Sequence, residues 1–249
     1  MAAEVVLQIA AGVATITLDA PQRRNALTPG MADAMVEVFG EVNRNRDVGA
    51  VVIRGAGGSF CAGADLGEAA KMFADPLEPA VYDGTTRIYN AFVQAGRLEA
   101  PVIAAVRGAA VGAGMNLALA ADLRIVADNA RLISGFLRLG VHPGGGHMML
   151  LAETAGVEAA CAMALFGQEI DGRRARELGL AWDSVPDAQV EALAQQLAAR
   201  AAADPELARA TVRTFRATAS RKHADWAAAL QAERAPQLWS MHRKGRGAA

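Results

Sequence analysis

Two glycine-rich stretches, each beginning with an apolar run, contain the residue types in this sequence that could most readily do chemistry. They are residues 50–66, AVVIRGAGGSFCAGADL, and residues 101–114, PVIAAVRGAAVGAG. In the second stretch, residues 102–106 predict a buried strand, and residues 115–121 predict the start of a buried helix. A glycine turn between a strand and a helix leaves backbone N–H groups unpaired at the helix N-terminus. Such donors can bind a phosphate or a developing oxyanion.

The spacing of the glycines excludes two kinds of nucleotide-binding loop. No lysine followed by serine or threonine comes after them, so the phosphate-binding P-loop pattern is absent. The spacing also does not match G-x-G-x-x-G followed by an acidic residue, the pattern of dinucleotide binding. Two loops of this kind could instead direct two backbone amides at one point, which lowers the energy of a carbonyl becoming an oxyanion. Ordinary turns after two strands are the alternative interpretation.

Turn, cap and spacing signals divide the rest of the chain into elements that would position these loops. Residues 5–18 predict a β-hairpin, and Thr28 followed by Pro29 predicts the start of an amphipathic helix. Residues 67–80, which contain two prolines, are predicted to be irregular. The remaining predictions are a helix over 85–98, short strands within 122–134, helices over 147–155, 159–165 and 187–203, a helix capped by Asp171, and two helices within 205–240 that break near His223.

The composition excludes several classes of function. The chain has 249 residues, of which 53% are hydrophobic and 20% charged, and its net charge is −1. These values are typical of a globular domain and give no electrostatic basis for binding nucleic acid or an anionic membrane. Cys61 and Cys161 have no metal-ligand spacing and predict no disulfide framework. We expect no metal, no nucleic-acid or membrane partner, and a cytoplasmic protein, since neither a signal-peptide pattern nor a membrane-spanning run is visible.

Four segments of the sequence resemble the crotonase family, which is the enoyl-CoA hydratase/isomerase superfamily. They are PQRRNALTPGM (21–31), SFCAGADL (59–66), PVIAAVRGAAVGAGMNLALAADLRI (101–125) and FLRLGVHPGGG (136–146). The resemblance covers about residues 5–200 in unbroken order. It implies an α/β (α+β) fold built as a spiral of ββα units over residues 1–198. It also implies a helical region over residues 199–249 that forms a homotrimer or a hexamer made of two trimers.

The resemblance further implies an acyl-CoA or enoyl-CoA ligand and a role in fatty acid metabolism. The N–H groups of Ala64 and Ala113 match the two donors of the family's oxyanion hole, which binds the thioester carbonyl. No separate cofactor is implied, because coenzyme A enters as part of the substrate. By family the activity would be that of a lyase, an enoyl-CoA hydratase.

The loop over residues 21–27 is the predicted contact for the coenzyme A phosphates. Arginine suits phosphate geometry, and in the family this loop lies near the nucleotide, although a solvated loop is the alternative. Asp65 also fits a structural role, as an acceptor for loop N–H groups or a helix cap. The complete predicted set of ligand-binding residues is Arg23, Arg24, Ala26, Ala62, Asp65 and Leu66.

The sequence departs from the family at the positions that carry out proton transfer. A hydratase of this type places one glutamate three residues after the second oxyanion donor and another 20 residues further on. Here these positions hold Asn116 and Phe136, and the place of an aspartate used by some relatives is Gly144. Asparagine can position a water or a carbonyl but cannot act as a base, and phenylalanine can only shape a pocket.

Three interpretations therefore remain open. The protein is a weak or atypical hydratase, a non-catalytic acyl-CoA-binding protein, or an oligomeric scaffold. For the first, His142 and His147 lie beside the vacant positions, and histidine can transfer protons near neutral pH. His142 is a tentative catalytic residue, with a turn residue before Pro143 as the alternative. For His147 the alternative is a helix N-terminal residue with a local hydrogen bond.

Overall fold

The fold is that of a computed structural model, which describes residues 4–219 and 222–247. Within these residues the strands are β1 (Val5–Ala10), β2 (Val13–Leu18), β3 (Ala50–Gly55), β4 (Val102–Val106), β5 (Ala109–Val111), β6 (Leu123–Ala127), β7 (Arg131–Ile133), β8 (Ile170–Asp171) and β9 (Asp183–Val185). The helices are α1 (Pro29–Arg44), α2 (Leu66–Ala74), α3 (Pro79–Gly96), α4 (Ala113–Ala120), α5 (Phe136–Leu139), α6 (His147–Ala164), α7 (Gly172–Glu177), α8 (Val190–Ala202), α9 (Pro205–Thr218) and α10 (Lys222–Gly245). No helix in the described part of the chain is long and apolar enough to span a membrane.

Two sheets organise these elements. The larger sheet has the order β1-β2-β3-β4-β6-β9, and the smaller one has the order β5-β7-β8. In the larger sheet β1 and β2 are antiparallel, and the pairs β2-β3, β3-β4, β4-β6 and β6-β9 are parallel. The hairpin turns at Ala11 and Gly12, whose φ values of 47° and 75° are typical of the tight turns that match strand twist. β3 and β4 are buried on both faces, which explains their continuous apolar sequences.

The chain passes repeatedly from the larger sheet to the smaller one and then into a helix. β4 is followed by β5 and α4, and β6 is followed by β7 and α5. The loop after β3 joins the same second layer through a bridge between Cys61 and Ala110. The predicted α/β class and the spiral of ββα units are confirmed. Because each repeat brings its loop to the smaller sheet, the glycine-rich loops that follow β3 and β4 lie side by side.

Local capping signals were reliable, and one irregular segment was predicted wrongly. Thr28 Oγ1 accepts the N–H of Met31 at 3.1 Å, and Asp171 caps α7. Residues 67–80 are mainly helical, since they contain most of α2 and the start of α3. The prolines misled the prediction because Pro76 follows α2 and Pro79 is the first residue of α3, where proline is well tolerated.

The C-terminal helices pack back onto the spiral. α6 contains two helical segments that meet at Gly156, whose φ of 80° and ψ of 163° are not helical, as the two predicted helices require. α9 ends at Thr218 and α10 begins at Lys222, slightly before the predicted break near His223. Residues 220 and 221 of this connection lie outside the described residues. α10 packs against α2 and α6, so it closes the space between them.

Candidate active site

Backbone pairing fixes the direction of the first predicted oxyanion donor. The N–H of Leu27 donates to the carbonyl of Gly63 at 2.7 Å, and the N–H of Asp65 donates to the carbonyl of Leu27 at 2.9 Å. In a parallel bridge of this kind, the residue between the two partners directs its own N–H to the opposite side. That residue is Ala64, and it lines a cavity. Its N–H therefore faces away from Leu27.

The second predicted donor lies at the start of α4. Gly112 has a φ of 52° and a ψ of −110°, and its N–H donates to the carbonyl of Ile133 at 2.9 Å. Ala113 is the first residue of the helix, so its N–H has no acceptor within that helix. Ala113 lines the same cavity as Ala64.

Two glycines allow the loops to pack in direct contact. A Cβ atom at Gly63 would lie 2.8 Å from the carbonyl oxygen of Val111 and 3.8 Å from the nitrogen of Ala113. A Cβ atom at Gly114 would lie 2.2 Å from the carbonyl oxygen of Cys61. Any larger residue would separate the two loops. The glycines therefore bring the N–H groups of Ala64 and Ala113 to the wall of one cavity.

This cavity has a volume of about 320 Å³ and lies between the two loops, α2, α3 and α10. Its lining is mostly apolar and includes Met72 and Ile88. Among the described residues that line it there is no aspartate or glutamate. The polar side chains are Thr85, Tyr89, Asn116, Ser134, Arg138 and Gln237.

A buried chain of hydrogen bonds begins at one of these polar side chains. Ser134 Oγ lies 2.7 Å from Nε2 of His147, and Nδ1 of His147 lies 2.7 Å from Oδ1 of Asn116. Asn116 Nδ2 donates to the carbonyl of Gly144 at 2.9 Å. All three side chains are buried, and that of His147 is completely inaccessible to solvent. Asn116 thus uses its amide within the protein rather than presenting it to a ligand.

The direction of these bonds fixes the tautomer of His147. Because the amide nitrogen of Asn116 faces the Gly144 carbonyl, the amide oxygen faces His147. Nδ1 must then carry the proton, and Nε2 accepts the proton of the Ser134 hydroxyl. Burial lowers the pKa of His147 to about 3, so the imidazole is neutral at physiological pH.

Bulky side chains lie at or beside the other two positions for which the family resemblance predicts acidic residues. Phe136 packs edge-on against the ring of His147, with 4.9 Å between the ring centroids, and it lines the cavity. A Cβ atom at Gly144 would lie 1.9 Å from Nε2 of Gln237. Gln237 in turn accepts a hydrogen bond from the hydroxyl of Tyr89. A side chain at position 144 therefore requires that Gln237 move.

α10 also holds the start of α6 in place. Oε2 of Glu233 accepts the N–H groups of Gly146 and His147 at 2.7 and 3.1 Å, and Oε1 accepts that of Met148 at 3.1 Å. A carboxylate at a helix N-terminus satisfies donors that have no partner within the helix. Glu233 therefore fixes the backbone of His147, whose side chain is the centre of the buried network.

The structure places His142 outside the cavity. Its N–H donates to Ser240 Oγ at 2.8 Å, and its Nδ1 lies 2.6 Å from the carbonyl oxygen of Pro143. It lines a separate groove together with Trp239 and Arg243. His147, the other histidine of this segment, is the one connected to Asn116.

The predicted ligand-binding residues fall into three groups. Arg23 makes a bidentate pair with Glu4 at 2.6 and 2.7 Å, whereas Arg24 is exposed. The carbonyl of Arg24 accepts the N–H of Ala62 at 3.0 Å, which holds this loop beside the cavity. Asp65 caps α2 through the N–H of Gly67 at 2.9 Å, the structural role expected for it.

The three apolar residues of the predicted binding set differ in exposure. Ala62 and Leu66 line the cavity, and Leu66 is 82% exposed at its edge. Ala26 is buried in the loop after β2, at 6% exposure. A ligand entering the cavity would therefore meet Ala62 and Leu66 directly.

The model of one protein family, described as enoyl-CoA hydratase/isomerase, matches residues 8–243 of the chain. The chain belongs to this family. It is 43% identical to a probable enoyl-CoA hydratase of Mycobacterium tuberculosis, EchA14, over 87% of this chain and 82% of that one. It is 38% identical to the 1,2-epoxyphenylacetyl-CoA isomerase of Escherichia coli, over 78% of this chain and 74% of that one. A crystal structure of an enoyl-CoA hydratase from Bacillus anthracis superimposes with a TM-score of 0.79 at 28% identity, covering 92% of this chain and 90% of that one.

Sequence reasoning did not find Ser134 or Gln237 in this enoyl-CoA hydratase/isomerase family member. Ser134 follows β7 and lies two residues before Phe136, so its proximity to a counted position was the available signal. Gln237 enters from α10, and no local pattern indicates that its side chain reaches a loop near residue 144.

Proposed function

We propose that this protein binds an acyl-CoA thioester with its carbonyl oxygen between the N–H groups of Ala64 and Ala113, and that it hydrates a 2-enoyl-CoA only slowly. The observation that carries the proposal is the contact between the two glycine-rich loops at Gly63 and Gly114, which directs both residues to one cavity. The hydratase and isomerase relatives are named for substrates that share a CoA thioester, which this arrangement suits.

Slow hydration follows from the composition of the cavity wall. Two aligned N–H donors polarise the thioester carbonyl and stabilise the negative charge that develops on its oxygen. Hydration also requires a base for water and an acid for carbon, and each positioned group contributes about 10²–10⁴-fold. No carboxylate lies among the described residues lining the cavity, and Asn116, which cannot act as a base, bonds to His147 and Gly144.

The structure also suggests which residue contacts the coenzyme A part of the ligand. Coenzyme A enters as part of the substrate, so no separate cofactor is required. Exposed Arg24 is the better candidate for its phosphates, because the guanidinium of Arg23 already pairs with Glu4. We further propose that the protein assembles as a homotrimer or as a dimer of trimers, as the family resemblance implies.

Binding and turnover can be tested separately. Crotonyl-CoA binding is measured by calorimetry, and hydration by the loss of the conjugated thioester absorbance. Ala113→Pro removes one N–H at the helix position that best tolerates proline, whereas Ala113→Ser retains it. We expect the proline variant to bind at least about tenfold more weakly, a loss of about 1.4 kcal/mol, and the serine variant to bind like wild type.

The outcomes distinguish the three interpretations. Binding with slow hydration supports the proposal. Binding without any hydration would leave an acyl-CoA-binding protein, and a wild-type chain that binds neither crotonyl-CoA nor a saturated acyl-CoA would favour a scaffold. A folded Ala113→Pro variant with unchanged affinity would argue against the assigned oxyanion hole.

A further inference from the structure

We propose that Ser134 is a nucleophile toward the bound thioester, with His147 as its general base and Asn116 as the positioning residue for His147, so that the protein hydrolyses acyl-CoA. The proposal rests on the binding of an acyl-CoA thioester between Ala64 and Ala113. It adds a second reaction, the release of free coenzyme A and a carboxylic acid, that does not need the missing glutamates.

The network has the order of a nucleophile, a base and an orienting group. The Ser134 hydroxyl donates to Nε2 of His147 at 2.7 Å, and Nδ1 donates to Oδ1 of Asn116 at 2.7 Å. A base directed at the hydroxyl by a third group is the arrangement that activates serine in unrelated hydrolases. The imidazole is neutral, so Nε2 is free to accept a proton. Because burial lowers the pKa of His147 to about 3, it is a weak base, and we expect the reaction to be slow.

The carbonyl of Gly144 makes asparagine suitable as the orienting group. An asparagine beside histidine can present its amide nitrogen, which forces the wrong tautomer and costs about 10⁴ in turnover in a serine protease. Here the amide nitrogen is held by Gly144 at 2.9 Å, so the amide oxygen faces His147. The tautomer that leaves Nε2 free to accept the serine proton is therefore retained.

The fold places Ser134 beside an oxyanion donor. β7 ends at Ile133, whose carbonyl accepts the N–H of Gly112 at 2.9 Å. A Cβ atom at Gly112 would lie 3.5 Å from the carbonyl oxygen of Ser134. Ser134 is thus a neighbour of the loop that presents the Ala113 N–H, and both residues line the cavity. A thioester held by Ala113 would therefore lie beside the segment of the chain that contains Ser134.

Other nucleophiles near the loops are less suited to the reaction. Cys61 is buried, does not line the cavity, and burial raises the pKa of its thiol to about 12. Burial also raises the pKa of the Tyr89 phenol, whose proton is donated to Gln237. Ser134 has a hydroxyl proton already directed at an imidazole, so its conversion to a nucleophile needs no further group.

The reaction is balanced without an external oxidant or reductant. Ser134 Oγ forms a bond to the thioester carbon while its proton moves to Nε2 of His147, and the oxyanion is held by Ala64 and Ala113. The carbon–sulfur bond then breaks, and the coenzyme A sulfur takes the proton from His147. Water adds to the resulting ester in the same way, using His147 as base, and releases the carboxylic acid and the free serine.

The test uses butyryl-CoA, which has no double bond to hydrate. Free coenzyme A is measured by chromatography, and the acyl-enzyme is measured by intact mass after an acid quench. We expect wild type to release coenzyme A at least about tenfold faster than the uncatalysed reaction and to gain the mass of one butyryl group, mapped by proteolysis to the peptide containing Ser134. Ser134→Ala should lose both signals while its affinity for butyryl-CoA changes less than about threefold.

Ser184→Ala is the matched control, because Ser184 is a partly buried serine in β9 that bonds to Asp128 at 2.6 Å, away from the cavity. It should keep the wild-type rate. A wild-type protein that binds butyryl-CoA but forms no adduct and releases no coenzyme A would overturn this proposal and leave the binding function intact. Failure to bind butyryl-CoA would overturn both. If Ser134→Ala does not fold, an adduct mapped elsewhere in the wild-type chain would exclude Ser134.

Discussion

Asn116 and His147 are joined by a 2.7 Å hydrogen bond between Oδ1 and Nδ1, at the position for which the family resemblance predicts a glutamate. The bond explains why an amide is accommodated there. A buried carboxamide needs both a donor and an acceptor partner, and the Gly144 carbonyl supplies the second at 2.9 Å. Asn116 is therefore part of a buried hydrogen-bond network at this position.

Exchanging the amide for a carboxylate should strengthen the proposed hydrolysis. In Asn116→Asp the carboxylate stabilises the imidazolium that forms at His147 and raises its pKa. We expect coenzyme A release from butyryl-CoA to rise about tenfold. The carboxylate also loses the donor to Gly144, so the free energy of unfolding should fall by about 1–3 kcal/mol. Release is measured between pH 5 and 8.

The pH profile separates a positioning role from a structural one. Wild type should release coenzyme A at a rate that does not fall on going from pH 8 to pH 5, because the pKa of His147 is lowered to about 3. In Asn116→Asp the rate should fall toward the acid end as His147 becomes protonated. Identical profiles for the two proteins would contradict the assigned role of Asn116.

The buried imidazole should make folding stability depend on pH. In the unfolded chain His147 takes up a proton near pH 6.5, whereas in the folded chain it does so near pH 3. Its contribution to stability is complete above pH 6.5 and decreases as the pH falls toward 3, by up to about 1.4 kcal/mol per pH unit. Urea unfolding of wild type and His147→Gln at pH 7, 5.5 and 4.5 measures the difference.

Ser134→Ala is the control for this effect, because it keeps the imidazole buried. The free energy of unfolding of Ser134→Ala should depend on pH as that of wild type does, whereas that of His147→Gln should depend on pH less steeply. If the free energy of unfolding changes equally with pH in all three proteins, His147 is accessible to protons in the folded state.

The glycine at position 144 should be required by the packing of α10. In Gly144→Ala the new Cβ would lie 1.9 Å from Nε2 of Gln237, so either that side chain or α10 must move. We expect a loss of about 1–3 kcal/mol in the free energy of unfolding. Gly30→Ala, whose Cβ would have no atom nearer than 4.0 Å, should be neutral or slightly stabilising because Gly30 lies in α1.

A double-mutant cycle identifies the cause of that loss. Gly144→Ala combined with Gln237→Ala should cost less than the sum of the two single changes, because shortening Gln237 removes the clash. If the two losses in the free energy of unfolding are additive, the strain in Gly144→Ala does not come from contact with Gln237.

Recovery of hydration should require a glutamate at both position 116 and position 136. Asn116→Glu alone breaks the bonds to His147 and Gly144 and buries a charge, so it should destabilise the protein by about 2–4 kcal/mol and recover little hydration. Asn116→Glu with Phe136→Glu should hydrate crotonyl-CoA faster than either single variant, since groups that act as a unit are not additive. Loss of the enoyl absorbance measures the rate. Hydration by wild type at the rate of a two-glutamate hydratase would sink the proposal of a slow enzyme.

The sequence was most informative where local rules determine structure. The glycines around Ala64 and Ala113, the Thr28 and Asp171 caps and the β1–β2 hairpin are all local signals, and they predicted the loops and element boundaries. The prediction for residues 67–80 was wrong because Pro76 and Pro79 were interpreted as signs of an irregular segment, whereas Pro76 follows α2 and Pro79 begins α3.

The side-chain network could not be predicted from local rules. Whether His142 or His147 bonds to Asn116 depends on how α6 and α10 pack, and the His142 N–H donates to Ser240 on α10. Ser134 and His147 meet because the end of β7 and the start of α6 converge, which is a tertiary contact. The count that identified Asn116 did not indicate what its amide would bind.

The bonds from Glu233 to the start of α6 bear on the order in which the chain becomes functional during synthesis. Both glycine-rich loops and Ser134 are translated early, and the parallel strands that carry them can pair before α10 exists. The backbone of His147 has its carboxylate partner, and the cavity its Gln237 wall, only after the last described helix has been made. For the proposed hydrolysis, a ribosome-bound chain that stops before α10 would contain both glycine-rich loops but lack the carboxylate that positions His147, so we expect acyl transfer only after α10 has folded.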